Sequence, residues 1–221
     1  MGHPFVRTLV TAIVAVAATV GTALLVSLLW EPLRTPWVLV VLGGIALVIG
    51  VIAGVLGSYD LTSGTGWALL LLDHTWAMPS TLFGAVVGNL VYPFFGTPSS
   101  AMSAGNGWVA YRARGTSGFG VDVLQTLGTV NIGGAGNHER VHLLQSRILG
   151  PLYLPVVALS YVVTTLVQCL WSATIGLLLW LLKVRRRPWF SAPSTSAVSG
   201  FWGWIYFATP MELWAYATEG P

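Results

Sequence analysis

The chain has 221 residues, 55% apolar and only 8% charged, with a mean hydropathy of +0.75. So few charges cannot cover a soluble surface of this size, which excludes an ordinary water-soluble domain and predicts a mainly α-helical integral membrane protein lying in a lipid bilayer. The formal net charge of +3 comes mostly from one cluster, Lys183-Val184-Arg185-Arg186-Arg187, which reads as an orientation signal on the cytoplasmic face; basic and aromatic residues do not interleave elsewhere, so nucleic acid is excluded as a partner.

Thr8 to Trp30 is an uninterrupted apolar stretch long enough to span the hydrocarbon layer as a retained helix, and a second span, Trp37 to Leu56, follows after a short polar turn. Together residues 1–57 are expected to form an N-terminal transmembrane hairpin. Gly50 and Gly54 give a G-x-x-x-G spacing that lets a partner backbone approach closely. The expected partner is the first helix, with a homodimer seam as the alternative. Residues 58–221 are expected to form the second unit. Gly57 to Gly66 is a loop, and Trp67 to Trp76 is apolar except for Asp73 and His74, a pair that is either an accessory functional pair or a solvated interfacial one. Thr81 to Phe95 is short for a span and reads as a re-entrant or interfacial helix or a thin third crossing, giving about three to four crossings in all.

Between Gly96 and Gly136 the pattern turns to short β-branched segments separated by glycines. Trp108 to Arg114, Gly120 to Leu124 and Thr126 to Ile132 predict a small antiparallel sheet of two or three strands within 107–132. A helix over 137–150 follows, with Asn137 as its N-cap and Gly150-Pro151 as its stop. Val141, Leu144 and Ile148 are expected to face the core. This helix carries His138-Glu139-Arg140-Val141-His142. Residues i and i+4 share a helix face, so His138 and His142 can offer two imidazole nitrogens to one zinc ion while Glu139 faces its open side as general base. A zinc ion there lowers the pKa of a coordinated water to about 7. The plain alternative is a membrane-surface helix whose histidines only hydrogen-bond.

Leu152 to Leu182 is the longest apolar run and predicts a transmembrane helix ending at the basic cluster. Pro188 to Thr195 is a linker, and the aromatic-rich Ser196 to Ala208 suits an interfacial or re-entrant helix. Catalytic zinc needs a third protein ligand, and only Glu212 and Glu219 follow the motif as carboxylates. Glu212, opening a helix after Pro210, is the choice. The difficulty is topological: if 152–182 crosses once, Glu212 starts on the far side from His138. It returns only if 196–208 re-enters, or if the long helix bends toward one face.

His-Glu-Arg-Val-His-Leu-Leu-Gln, followed by Gly150-Pro151-Leu152-Tyr153-Leu154-Pro155, preceded by Leu127-Gly128-Thr129-Val130 and closed by Thr209-Pro210-Met211-Glu212-Leu213-Trp214-Ala215-Tyr216, resembles an uncharacterised family of small bacterial membrane proteins with an HERVHxxQ motif. These look like gluzincins, zinc metallopeptidases whose site is completed by a glutamate on a second helix. The resemblance implies zinc ligands at His138, His142 and Glu212, the base at Glu139, Tyr216 as a supporting group, and a motif glutamine, without assigned role, at Gln145. It also implies a bacterial inner-membrane location. Thr209 and Trp214 depart from the family's asparagine and second glutamate.

Two functions compete on this reading. One is a membrane-embedded zinc metallopeptidase cleaving a membrane protein or peptide. His74, Tyr111 and Tyr216 are its conceivable oxyanion donors, and an edge strand near Thr126 to Ile132 could pair with extended substrate. The other is a non-enzymatic accessory or assembly subunit of a membrane complex, with a structural or vestigial metal site.

Overall fold

The computed structural model describes residues 3–114, 125–133, 136–191 and 199–219. Helices α1 (Pro4–Val26) and α2 (Pro36–Leu56) form a hairpin closed by a 3-10 turn at Glu31–Arg34. Each helix opens on a proline, whose missing N–H costs nothing in a first turn. Gly50 and Gly54 lie directly against α1. A Cβ on Gly50 would stand 2.6 Å from Ala12 Cα, and one on Gly54 would stand 2.5 Å from Thr8 Cα, so no larger residue fits the crossing. Arg7 then donates from Nε to Gly54 O (2.8 Å) and from Nη2 to Val55 O (3.0 Å), adding a positively charged donor to carbonyls at the C-terminal end of α2.

After the Gly57 turn, α3 (Gly64–His74) is capped by Ser63, whose hydroxyl accepts from Gly66 N at 3.0 Å. Helix α4 (Met78–Phe95) leads into β1 (Gly96–Pro98), a single turn α5 (Ser100–Ser103), β2 (Val109–Ala113), and the hairpin β3 (Gln125–Leu127) and β4 (Val130–Ile132). The sheet has the order β1-β2-β4-β3, with β2 and β4 parallel and the other pairs antiparallel. Among the described residues it is therefore mixed and four-stranded, where the sequence pattern predicted an antiparallel sheet of two or three strands. Strand β1 is too short to show a period, and the expected strand Thr126 to Ile132 is a hairpin folded at Gly128, which takes φ 54°. The expected segment Gly120 to Leu124 lies outside the described residues. A second pair of glycines, Gly84 and Gly88, seats the hairpin on α4: a Cβ at Gly84 would run into Leu127 O, and one at Gly88 would stand 2.9 Å from the Val130 side chain.

The HExxH helix α6 spans Asn137–Leu149 and stops where Gly150 turns to φ 54°. Its N-cap is Gly136, without a side-chain bond, so Asn137 is the first helical residue and not the cap. The buried face also differs from expectation. Val141 is buried, but Leu144 and Ile148 are 49% and 52% exposed, while Glu139, His142, Leu143, Gln145 and Ser146 point inward. The polar side of α6 is the covered one, because α10 (Pro210–Glu219) packs on it.

Helix α7 (Tyr153–Trp171), a π-helical turn at Ser172–Gly176 and α8 (Leu177–Leu181) make one long rod. Among the described residues four helical segments are long and apolar enough to cross a membrane: Pro4–Val26, Pro36–Leu56, Met78–Phe95 and the run Asn137–Leu181. Large side chains such as Leu25, Val40, Leu90, Leu166 and Leu170 stand exposed along them. Past α8 the chain doubles back. Lys183 takes φ 58°, Pro188 O closes on the bare backbone of Gly176, and Phe190 stacks between Trp171 (4.2 Å) and Trp204 (4.8 Å). Helix α9 (Gly200–Phe207) then runs along α7 and delivers α10 to α6. That return answers the topological difficulty: the chain comes back beside its own long helix.

Candidate metal centre

Two elements distant in sequence build the site. Helix α6 supplies His138 and His142 from successive turns of one face, and α10 supplies Glu212 from its first turn, after Pro210 has fixed the helix start. His138 Nε2 lies 3.1 Å from His142 Nε2 and 3.1 Å from Glu212 Oε2, and His142 Nε2 lies 3.5 Å from that oxygen. Two donors each 2.0–2.1 Å from a tetrahedral ion stand about 3.3 Å apart by trigonometry. The triangle of donor atoms thus has the dimensions of a three-ligand face, and the cluster could hold a metal ion. Burial alone would raise the Glu212 carboxyl, but hydrogen bonds to His138 and His142 outweigh it and hold the group down at about 2, so it is a carboxylate.

Gln145 explains why the imidazoles point where they do. Its Oε1 lies 3.0 Å from His142 Nδ1, and its Nε2 donates to Met211 O at 2.8 Å. An amide oxygen can only accept, so His142 carries its proton on Nδ1 and turns the Nε2 lone pair to the centre. The same side chain ties α6 to the residue before Glu212. Tyr216, one turn beyond Glu212, lays its ring against His138 with centroids 4.4 Å apart.

Glu139 is 4% exposed, and its Oε2 has no hydrogen-bond partner among the described residues. It lines a cavity of about 200 Å³ together with His142, Glu212, Thr126, Leu127 and Gly128. A buried carboxylate oxygen left open beside three converging donors fits a group that receives a proton there. Three tyrosines that the sequence did not single out, Tyr153, Tyr161 and Tyr206, line the same cavity. Tyr161 and Tyr206 interact with the Glu212 carboxylate, and burial followed by that negative charge pushes the Tyr206 phenol well up, so it stays a proton donor. Only the Gly-Pro-Leu-Tyr stretch after α6 hinted at one of them.

The accessory candidates divide. Gln145 and Tyr216 are at the centre. Asp73 accepts from Arg147 Nε and Nη2, both at 2.7 Å, and from Tyr59 Oη at 2.8 Å, so it anchors the C-terminal turn of α6. His74 Nδ1 lies 3.2 Å from Thr19 Oγ1 on α1, and burial pushes its imidazole down to about 4, leaving it neutral. Tyr111 Oη donates to Asn89 Oδ1 at 2.8 Å. These last three serve packing between elements and are not brought into the triangle. No family model matches the chain, and no curated protein or solved structure matches it either.

Proposed function

We propose that the protein is a membrane-embedded zinc metallopeptidase that hydrolyses peptide bonds of a membrane protein or peptide, in a bacterial inner membrane with Lys183 to Arg187 on the cytoplasmic side. The observation that carries this is the meeting of His138, His142 and Glu212 around one point, with Glu139 open to the same cavity. Two histidines and a carboxylate of this kind suit zinc. A zinc ion held by them would supply a Lewis acid for the scissile carbonyl and lower the pKa of water to about 7.

The chain's own residues do the rest. Glu139 takes a proton from the attacking water and hands it to the departing amine. Gln145 fixes the His142 tautomer, and Glu212 completes the donor face with a charge that offsets part of the cation's. Tyr153, Tyr161 and Tyr206 bring phenolic O–H groups to the cavity, and these are better placed to meet an oxyanion than His74 or Tyr111. Thr126 and Leu127 border the cavity on β3, an edge strand among the described residues, which offers main-chain groups to an extended segment.

The test is cleavage of quenched fluorescent peptides with apolar cores by the purified chain in lipid vesicles. Glu139→Gln is expected to lower turnover by at least about 100-fold while leaving bound zinc in place. Equal turnover in Glu139→Gln would remove the peptidase assignment.

A further inference from the structure

From Tyr161 onward the most covered positions of α7 are polar, Thr164 and Gln168 being buried. Tyr161, Thr164, Gln168 and Ser172 follow one another at helical spacing on the side that α9 covers, while Leu159, Val162, Leu166 and Leu170 on the other sides are 55–68% exposed. Thr164 is satisfied within its own helix, donating to Ser160 O at 2.9 Å. Gln168 is not. It is fully buried, and among the described residues neither its Oε1 nor its Nε2 has a hydrogen-bond partner. Trp171 Nε1 and Ser172 Oγ, one turn on, are buried and likewise without a partner among the described residues. Ser172 also opens the π-helical turn, a deformation that recurs at functional positions in helices.

Buried polar atoms in folded proteins are paired with protein groups or with ordered water, and four orphaned atoms within about one turn need several partners at once. The identity of the ligand follows from the donor set. A cation finds no negative group there, since Gln168 and Ser172 are neutral and Trp171 Nε1 can only donate. An anion would face the Gln168 carbonyl oxygen and, at the other end of the stripe, the Glu212 carboxylate. Water both donates and accepts. We infer that a file of water molecules occupies the seam between α7 and α9, running from Ser172 and Gln168 to Tyr161, where the stripe meets Glu212.

The eleven residue steps from Tyr161 to Ser172 cover about 16 Å of helix. At the outer end stands the Trp171, Phe190 and Trp204 stack, with the Arg185 guanidinium 5.7 Å from the Trp171 ring. The file therefore joins the basic end of the rod to the candidate metal centre. This role deepens the peptidase reading and rests on it: each bond hydrolysed consumes one water, and a centre enclosed by lipid-facing helices needs a supply.

The water itself is tested without metal or activity. X-ray radiolysis of the unsubstituted chain in lipid vesicles generates hydroxyl radicals from water, including water held inside a protein, and oxidises adjacent side chains. Trp180, 46% exposed on the apolar flank of α8, is the control for Trp171. The expected result is oxidation of Trp171 at least about threefold faster than Trp180, and slowing of Trp171 to the Trp180 rate in Gln168→Leu, which removes the polar anchor of the file. Oxidation of Trp171 no faster than Trp180 in the unsubstituted chain would overturn the inference. Fast Trp171 oxidation in a chain that cleaves no peptide would leave the water file standing and the peptidase assignment refuted.

Discussion

His138 Nε2 and Glu212 Oε2 stand 3.1 Å apart although 74 residues separate them in the chain. The long rod, the π-helical turn and the aromatic stack where the chain reverses lie between them in sequence, and α9 packed along α7 brings that carboxylate to the imidazole pair. Replacing Glu212 with alanine removes a charged donor and leaves the two histidines alone. Zinc affinity is expected to fall by at least about 100-fold, measured by competition with a chromophoric chelator; an unchanged affinity would show that the carboxylate is no ligand.

Gln145→Leu keeps all three donors but removes the acceptor for His142 Nδ1 and the tie to Met211. Affinity should drop by about 10–100-fold, the range found when hydrogen-bonded supports of metal ligands are lost. Gln145→Glu, which still accepts from Nδ1 but cannot donate to Met211 O, should recover only part of it. The same chelator competition reads both variants.

The Arg147 and Asp73 pair is buried, with side-chain exposures of 10% and 0%, and Tyr59 adds a third bond to the carboxylate. Breaking it in Arg147→Met leaves an unpaired carboxylate in the interior and should cost about 3–5 kcal/mol. The double variant Arg147→Met, Asp73→Leu is expected to regain part of that loss. Thermal unfolding midpoints in detergent test the order: wild type highest, the single variant lowest.

Gly84→Ala asks a packing question away from the donors. A Cβ there meets Leu127 O on the strand that borders the cavity, so the hairpin must lift from α4. The expected cost is about 1–3 kcal/mol with a lower unfolding midpoint, whereas Gly44→Ala, where nothing stands within 4 Å, should change little.

How much of this was legible in the sequence depended on the range of the interaction. The histidine pair and Glu139 follow from helical spacing alone, and Glu212 from the scarcity of carboxylates after the motif. The close crossing at Gly50 and Gly54 was equally visible. The tyrosines of the cavity were not, because their part depends on α9 lying against α7, which no local pattern encodes. The inverted face of α6 has a general cause. Apolar periodicity marks the core face of a helix in water, but in a chain so poor in charge Leu144 and Ile148 lose nothing by facing outward, and the polar side needs the cover. The mixed sheet was missed because β1 has three residues and because the parallel pairing of β2 with β4 is a long-range choice.

The central claim is that His138, His142 and Glu212 hold one zinc ion. Its most direct test is the metal content of the purified chain and of three variants, by mass spectrometry after equilibrium dialysis against zinc. The account predicts one zinc per chain in wild type and in Glu139→Gln, and loss of it in His138→Ala and Glu212→Ala. Wild-type protein without zinc, or zinc retained in both His138→Ala and Glu212→Ala, would contradict it.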